Sequence, residues 1–369
     1  MSRNKPAVAY YITPHGFGHA VRSLEVIHRF LAIEPDYRVI PVSDIPEFLV
    51  EENVGRRLPM RRRRLDVGLV QLDSIRFDLD ATLSSLERLY SKKSALIEEE
   101  IRFLKENGVE AVVCDIPFIP FPAAAECGIP ATGIGNFTWD WIYTAYIAKE
   151  LRWQTIISWI RECYRLCTLF LQLPMHGDCS VCPNIEHVPL IARHSTRDPG
   201  DVRRILGIPA DRKAILVSFT TLDLSREAQK LIERIEDVLF YFRRPLSLRF
   251  SNARCLDKWD LAYVDIVASM DAVLTKPGYG IVSDCLAHGI PMIYTDRGVF
   301  PEYEILVREM SRSLAVTYLP SEDLYAGRWE PSIRRIGCQV QSRTVVRTDG
   351  AEVCAEFISK QLTKHGCRK

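Results

Sequence analysis

The stretch Ala7-Val8-Ala9-Tyr10-Tyr11-Ile12-Thr13-Pro14-His15-Gly16-Phe17-Gly18-His19-Ala20 decides how the chain reads. Its first part, Ala7 to Ile12, is an uninterrupted run of strand length with no polar alternation, suited to a strand covered on both faces. Its second part, Pro14 to His19, places two glycines and two histidines in a turn. Beyond the turn Val21, Leu24, Ile27, Phe30 and Leu31 recur at helical spacing. Strand, glycine turn and helix is the opening of many nucleotide- and sugar-binding domains. Gly16 and Gly18 let a ligand approach the backbone, and the helix N-terminus offers free N–H groups. A turn built for shape alone needs no histidine. His15 and His19 bring side chains that exchange protons near neutral pH to the place where a ligand would lie.

The same grammar repeats outward. Residues 38–42, 111–114 and 130–134 read as strands, 81–107 as one long helix closed by Gly108, and 123–127 as a short helix stopped by Gly128. Residues 142–187 read as helices leading to a connection. Further on, 214–219, 272–275 and 291–294 read as strands, with a possible short one at 246–250. Helices are expected at 222–239, 264–270, 281–288 and 350–362. Repeated βα units with apolar strands predict parallel sheets covered on both faces. A length of 369 residues suits two domains at ~150 residues each.

Composition narrows the function classes. Hydrophobic residues make up 47% and charged residues 26%, with a formal net charge of +1, so no global field favours nucleic acid or an anionic membrane. The run Arg61-Arg62-Arg63-Arg64 reads as a solvated surface loop or strand edge, with an anionic ligand or partner as the alternative. No apolar run approaches the ~18 residues of a membrane span, and Met1-Ser2-Arg3-Asn4-Lys5-Pro6 does not read as a signal peptide. The 11 cysteines are therefore expected to be reduced thiols, and the location cytoplasmic.

A second turn has the build of the first. Lys276-Pro277-Gly278-Tyr279-Gly280 follows the strand at 272–275 and opens the next helix. Backbone N–H groups from Gly280 to Ser283 are placed to receive a phosphate, with Lys276 adding charge. No Gly-Lys-Ser/Thr follows, so this is not a Walker A loop. A strand-to-helix turn with no ligand is the alternative.

Tyr10 through Arg22 resembles the opening of the glycosyltransferase-like N-terminal region of plant and bacterial L-arabinokinases. So do Asp66 through Asp73 and Asn136 through Tyr143, and Lys276 through Ser283 with Arg297 and Phe300 to Glu302 continues the resemblance. The C-terminal half is more distantly similar to the family that adds N-acetylglucosamine from UDP-GlcNAc during peptidoglycan synthesis. The resemblance covers most of the chain without the sugar-kinase domain, so the chain reads as the glycosyltransferase-like module standing alone. It implies the α/β GT-B fold, two Rossmann-like domains facing across a cleft. Residues 1–187 would form the acceptor domain, 188–349 the nucleotide-sugar donor domain and 350–369 a C-terminal helix and tail.

The implied activity is an inverting transfer of a hexosyl or pentosyl group from a nucleotide-sugar co-substrate, UDP-sugar favoured, to an unknown acceptor. No metal or other cofactor is implied. By position, His19 is the first candidate for the base or for a donor-phosphate contact, and His15 the second. Asp115 and Asp140 would orient a histidine or bind acceptor hydroxyls. Gly16, Gly18, Thr220, Lys276, Pro277, Gly278, Tyr279, Gly280 and Ser283 would hold the donor, and Glu302 a sugar or ribose hydroxyl. Asn136 and Trp139 would meet the acceptor, with Phe137, Trp141 and Tyr143 as further stacking surfaces or as core.

One departure stands out. Relatives have a glycine-rich turn after the first strand of the C-terminal domain, where this chain has Phe219-Thr220-Thr221-Leu222-Asp223. That leaves open a non-catalytic nucleotide-sugar-binding module, alongside an epimerase or hydrolase of nucleotide sugars. Cys179 and Cys182, flanked by His176 and His187, lack a second Cys pair and read as free thiols rather than a zinc site. Gly16-Phe17-Gly18 is a poor dinucleotide fingerprint, because Val21 stands where the third glycine belongs.

Overall fold

The apolar runs become the strands of two parallel sheets. In the computed structural model, which describes residues 5–73, 75–338 and 346–366, the strands of the first half are β1 (Ala7–Ile12), β2 (Arg38–Val42), the short hairpin strands β3 (Val70–Gln71) and β4 (Phe77–Asp78), β5 (Val109–Asp115), β6 (Ala131–Gly135), β7 (Leu169–Gln172) and β8 (Ile185–His187). Those of the second half are β9 (Lys213–Ser218), β10 (Val238–Phe242), β11 (Ala253–Cys255), β12 (Ala272–Thr275), β13 (Met292–Tyr294) and β14 (Val316–Tyr318). The chain divides into two units, residues 5–70, 78–192 and 347–366 in one, residues 71–77 and 193–346 in the other.

In the first unit the strand order is β2-β1-β5-β6-β7-β8, parallel throughout. Every residue of β1 is buried, as expected of a strand covered by helices on both faces. Connections from β1 run outward to β2, whereas those from β5 run the other way. The β1/β5 boundary is thus a topological switch point, the place where such sheets leave a crevice at the strand C-terminal ends. Ile12 pairs with Asp115 across it. The second unit repeats this with the order β11-β10-β9-β12-β13-β14, again parallel, and its switch point lies between β9 and β12, where Ser218 pairs with Thr275.

The domain boundary shifts from the sequence reading. The break falls after Ala192 rather than at 187, and residues 347–366 belong to the first unit rather than forming a separate tail. Backbone bonding explains the return. Leu190 N–H donates to Arg347 O at 3.1 Å and Gly350 N–H to Leu190 O at 3.1 Å, while a Cβ on Gly350 would fall 2.2 Å from Pro189 O. The helix Gly350–Gly366 then covers the helix Phe17–Ile33 with Ala351, Cys354, Ala355 and Ile358 buried, and Glu352 pairs with Arg29 at 3.2 Å.

Other elements also differ. The helix expected at 81–107 is two, Leu79–Ser91 and Lys93–Glu106, broken at Lys92. The helix expected at 222–239 is only Arg226–Glu233, and the run Val238–Phe242 is strand β10, buried at every position. A short, wholly buried apolar run has no period by which to separate strand from helix. Residues 246–250 alternate as a strand would, with Leu246, Leu248 and Phe250 buried, but they pair with no neighbour because β11 takes the place beside β10. The segment 142–187 contains β7 and β8 besides its helices. No helix among the described residues is long and apolar enough to cross a membrane.

Candidate functional site

The first crevice is a buried hydrogen-bonded network around one carboxylate. Asp115 ends β5 and is fully buried. His19 opens the helix Phe17–Ile33 after the turn, and its Nδ1 lies 2.8 Å from Asp115 Oδ1. Arg22 Nε and Nη2 donate to the two oxygens of Asp115 at 2.7 and 2.6 Å, and Ser23 Oγ donates to Oδ2 at 2.8 Å. Burial by itself would push the Asp115 carboxyl up. The charges of Arg22 and His19 and the hydrogen bonds from them outweigh it, and hold the group well below the usual carboxylate range. Asp115 is therefore an anion that fixes one nitrogen of His19. The ring of His19 also meets Phe137 edge-on, with centroids 5.6 Å apart.

His15 is half-buried and belongs to the same turn. Its ring stands edge-on to Trp139 at 5.5 Å, and a Cβ on Gly68 would fall 2.4 Å from its Nδ1, so Gly68 is the glycine on which this close approach depends. Gly68 also has φ +68°. Gly16 (φ +83°) is exposed, with open space where a Cβ would be, and Gly18 is half-buried.

Three first-unit residues have other work than the one expected of them. Trp139 is fully buried, stacked on Tyr143 at 5.5 Å, and its Nε1 donates to Asp66 at 2.9 Å; it supports His15 from within the core rather than offering a face to an acceptor. Phe137 and Tyr143 are core likewise. Asn136 is buried and its Oδ1 accepts from Arg22 Nη1 at 2.8 Å, which makes it part of the scaffold behind Asp115. Asp140 accepts from Arg161 Nε at 3.0 Å and joins the helix Trp139–Thr144 to the helix Arg152–Tyr164. Successive residues at a helix start point different ways, which takes Asp140 away from the side that carries Trp139 to His15.

Sequence reading missed Arg22, Ser23 and Asp66. For Arg22 a signal was present, since it stands three residues after His19 on one helix and so shares its face. Asp66 gave none. Burial pushes its carboxyl up, against the hydrogen bonds of Thr13 and Trp139 and the charges of Arg64 and His19.

The second crevice is of another kind. Lys276 follows β12 and is half-buried; burial first, then Arg297, lowers its ammonium to about 8, against the pull of Asp73. Gly278 caps the helix Tyr279–His288 in an extended conformation, and no protein atom lies within 4 Å of where its Cβ would be. Glu302 is buried and accepts from Arg297 Nη1 at 2.7 Å, and the same nitrogen donates to Pro277 O at 2.9 Å. Glu302 thus braces the lysine loop. Thr220 is exposed just beyond β9, beside the lysine loop because β9 and β12 are neighbours. Tyr279 and Ser283 are buried in the helix, and Ser283 Oγ donates to Tyr279 O at 2.6 Å and Gly280 O at 3.1 Å, so its hydroxyl is spent inside its own helix. Cys179 and Cys182 are buried thiols, and burial contributes to raising both; among the described residues no three His, Cys, Asp or Glu side chains gather as a metal site would need.

The architecture has close counterparts among solved structures. A UDP-glucosyltransferase from Polygonum tinctorium superposes with a TM-score of 0.60 at 14% identity, over 98% of this chain and 100% of that one. Phytolacca americana UGT2 does so at 0.57 and 12% identity, over 98% of both. The fold is GT-B. In sequence the chain is 28% identical over 362 residues to L-arabinokinase of Arabidopsis thaliana, 97% of this chain but 35% of that protein, so it spans about a third of the relative's length. No family model matches the chain. Within the GT-B fold, each unit has its own switch point, with a buried histidine–carboxylate network at one and a lysine–glycine turn at the other.

Proposed function

We propose that the chain is a glycosyltransferase that moves a sugar from a nucleotide-sugar donor, UDP-sugar favoured, to a nucleophilic acceptor with inversion. The observation that carries the reading is His19 held through Nδ1 by the buried anion Asp115. A ring held that way turns Nε2 outward as the proton acceptor. In the reaction Nε2 takes the acceptor's proton, the acceptor oxygen attacks the anomeric carbon, and the nucleoside diphosphate leaves with the bonding pair. Lys276 and the N–H groups at the start of the helix Tyr279–His288 would receive the charge that develops on that diphosphate. The structural neighbours support this. The Polygonum enzyme glucosylates indoxyl, and the Phytolacca enzyme is complexed with UDP-2fluoro-glucose and pterostilbene.

Calorimetry with UDP, GDP, ADP and their sugars tests the donor half. UDP or a UDP-sugar should bind, and silence from all of them at millimolar concentration sinks the assignment. A second reading, binding without transfer, is favoured by the exposed Thr220-Thr221 turn, which lacks the close approach that glycine permits. Mass spectrometry and proton NMR of donor incubations with and without an acceptor library separate the two. A sugar–acceptor adduct supports transfer, an intact donor supports the binding module, and free sugar or an epimer without acceptor indicates a hydrolase or epimerase.

A further inference from the structure

Arg22 reaches both members of the His19–Asp115 pair. Its Nη2 donates to Asp115 Oδ1 at 2.6 Å and lies 2.9 Å from His19 Nδ1, while His19 Nδ1 is 2.8 Å from that same Oδ1. The three atoms form a nearly equilateral triangle, and two of them have fixed roles. A guanidinium nitrogen only donates and a carboxylate oxygen only accepts. A bare Nδ1 would set two lone pairs against each other at 2.8 Å, whereas an Nδ1–H lies on the line to Oδ1 and leaves the Arg22 hydrogens to the carboxylate.

The fork is itself held. Arg22 joins Asp115 two-pronged through Nε and Nη2, and Asn136 Oδ1 holds the far side of the guanidinium at 2.8 Å. The groups facing the His19 ring are Asp115 from β5, Arg22 from its own helix, the Phe137 ring from beyond β6 and, farther off, Asp66 from the segment before β3.

The geometry points to Arg22 as a positioning residue. It holds Asp115 Oδ1 and the His19 ring in register, so that Nδ1–H points to Asp115 and Nε2, the proton-accepting atom, stays bare. The functional meaning rests on His19 as the base, but the test does not depend on transfer.

Two-bond ¹H–¹⁵N spectra of the full chain labelled at histidine report the tautomer. The neutral His19 ring of the wild type should be Nδ1–H with bare Nε2. In Arg22→Lys, which keeps the charge and loses the fork, the Nδ1–H fraction should fall, and in Arg22→Gln, which loses both, it should fall further. An Nε2–H tautomer in the wild type overturns the proposal, and so does an unchanged tautomer ratio in a natively folded Arg22→Gln. If Arg22→Gln does not fold, the wild-type tautomer and the lysine variant decide. Absence of transfer with these spectra as expected would count against the glycosyltransferase reading alone.

Discussion

In the first unit the switch point between β1 and β5 is filled by hydrogen-bonded side chains, His19, Asp115, Arg22 and Ser23, all of them buried. In the second unit the crevice between β9 and β12 is lined by a bare glycine turn, a half-buried lysine and an exposed threonine turn. Both sheets are parallel and both crevices are switch points. The topology thus provides a place at which strand ends and helix starts open toward a ligand, and leaves the chemistry to a few residues after each strand. A network with every carboxylate oxygen taken is preorganised to hold one ring. At the second turn no protein atom fills the space beside Gly278.

The largest effect that would break this contrast is at His19. His19→Ala should lower turnover by about 10² to 10⁴ while leaving nucleotide binding intact, as loss of a general base does. Full turnover in that variant would take proton transfer out of the first crevice. Next comes Lys276→Met, which should weaken diphosphate binding by about 10- to 100-fold, the scale of a charge-assisted hydrogen bond, with turnover at saturating donor less affected. The pH dependence sharpens it. Lys276 titrates at about 8, so its charge is present below that pH and lost above it, and affinity for UDP should fall as pH rises through about 8. A bound phosphate favours the charged form, so binding above that pH should take up a proton, visible as a calorimetric enthalpy that changes with the buffer's ionisation heat.

Gly278→Ala discriminates more finely. Its Cβ meets no protein atom and its backbone is extended, so thermal stability should be nearly unchanged. UDP affinity should nonetheless drop by a few-fold if a phosphate packs on that turn. Equal affinity in the variant would mean that nothing approaches it. The smallest effect expected is at Ser283. Because its hydroxyl bonds within the helix, Ser283→Ala should shift UDP affinity by less than about twofold. A large loss would show that the hydroxyl turns out to a ligand.

Much of the fold was legible. β1, β2, β12 and the helix Tyr279–His288 with its closing Gly289 follow from apolar runs and glycine stops, where local chemistry and burial agree. β10 was not, because a short apolar segment carries no period and its state is set by which neighbour it pairs with. In the candidate site the two glycine turns and His19 could be found from spacing. The roles of Asn136, Trp139, Asp140 and Ser283 could not, since a polar or aromatic residue in a motif looks the same whether it faces a ligand or completes the scaffold.

By itself the sequence determined that this is a chain of βα units with a histidine-bearing turn after β1 and a lysine-glycine turn after β12. Periodicity, caps and glycines are local properties, and they act over a few residues. Only the tertiary structure decided that Asp115 and Arg22, 93 residues apart, converge on His19, and that the C-terminal helix returns to cover the helix carrying it. Convergence of that kind depends on strand order, and strand order is settled by which apolar faces bury one another across the whole chain.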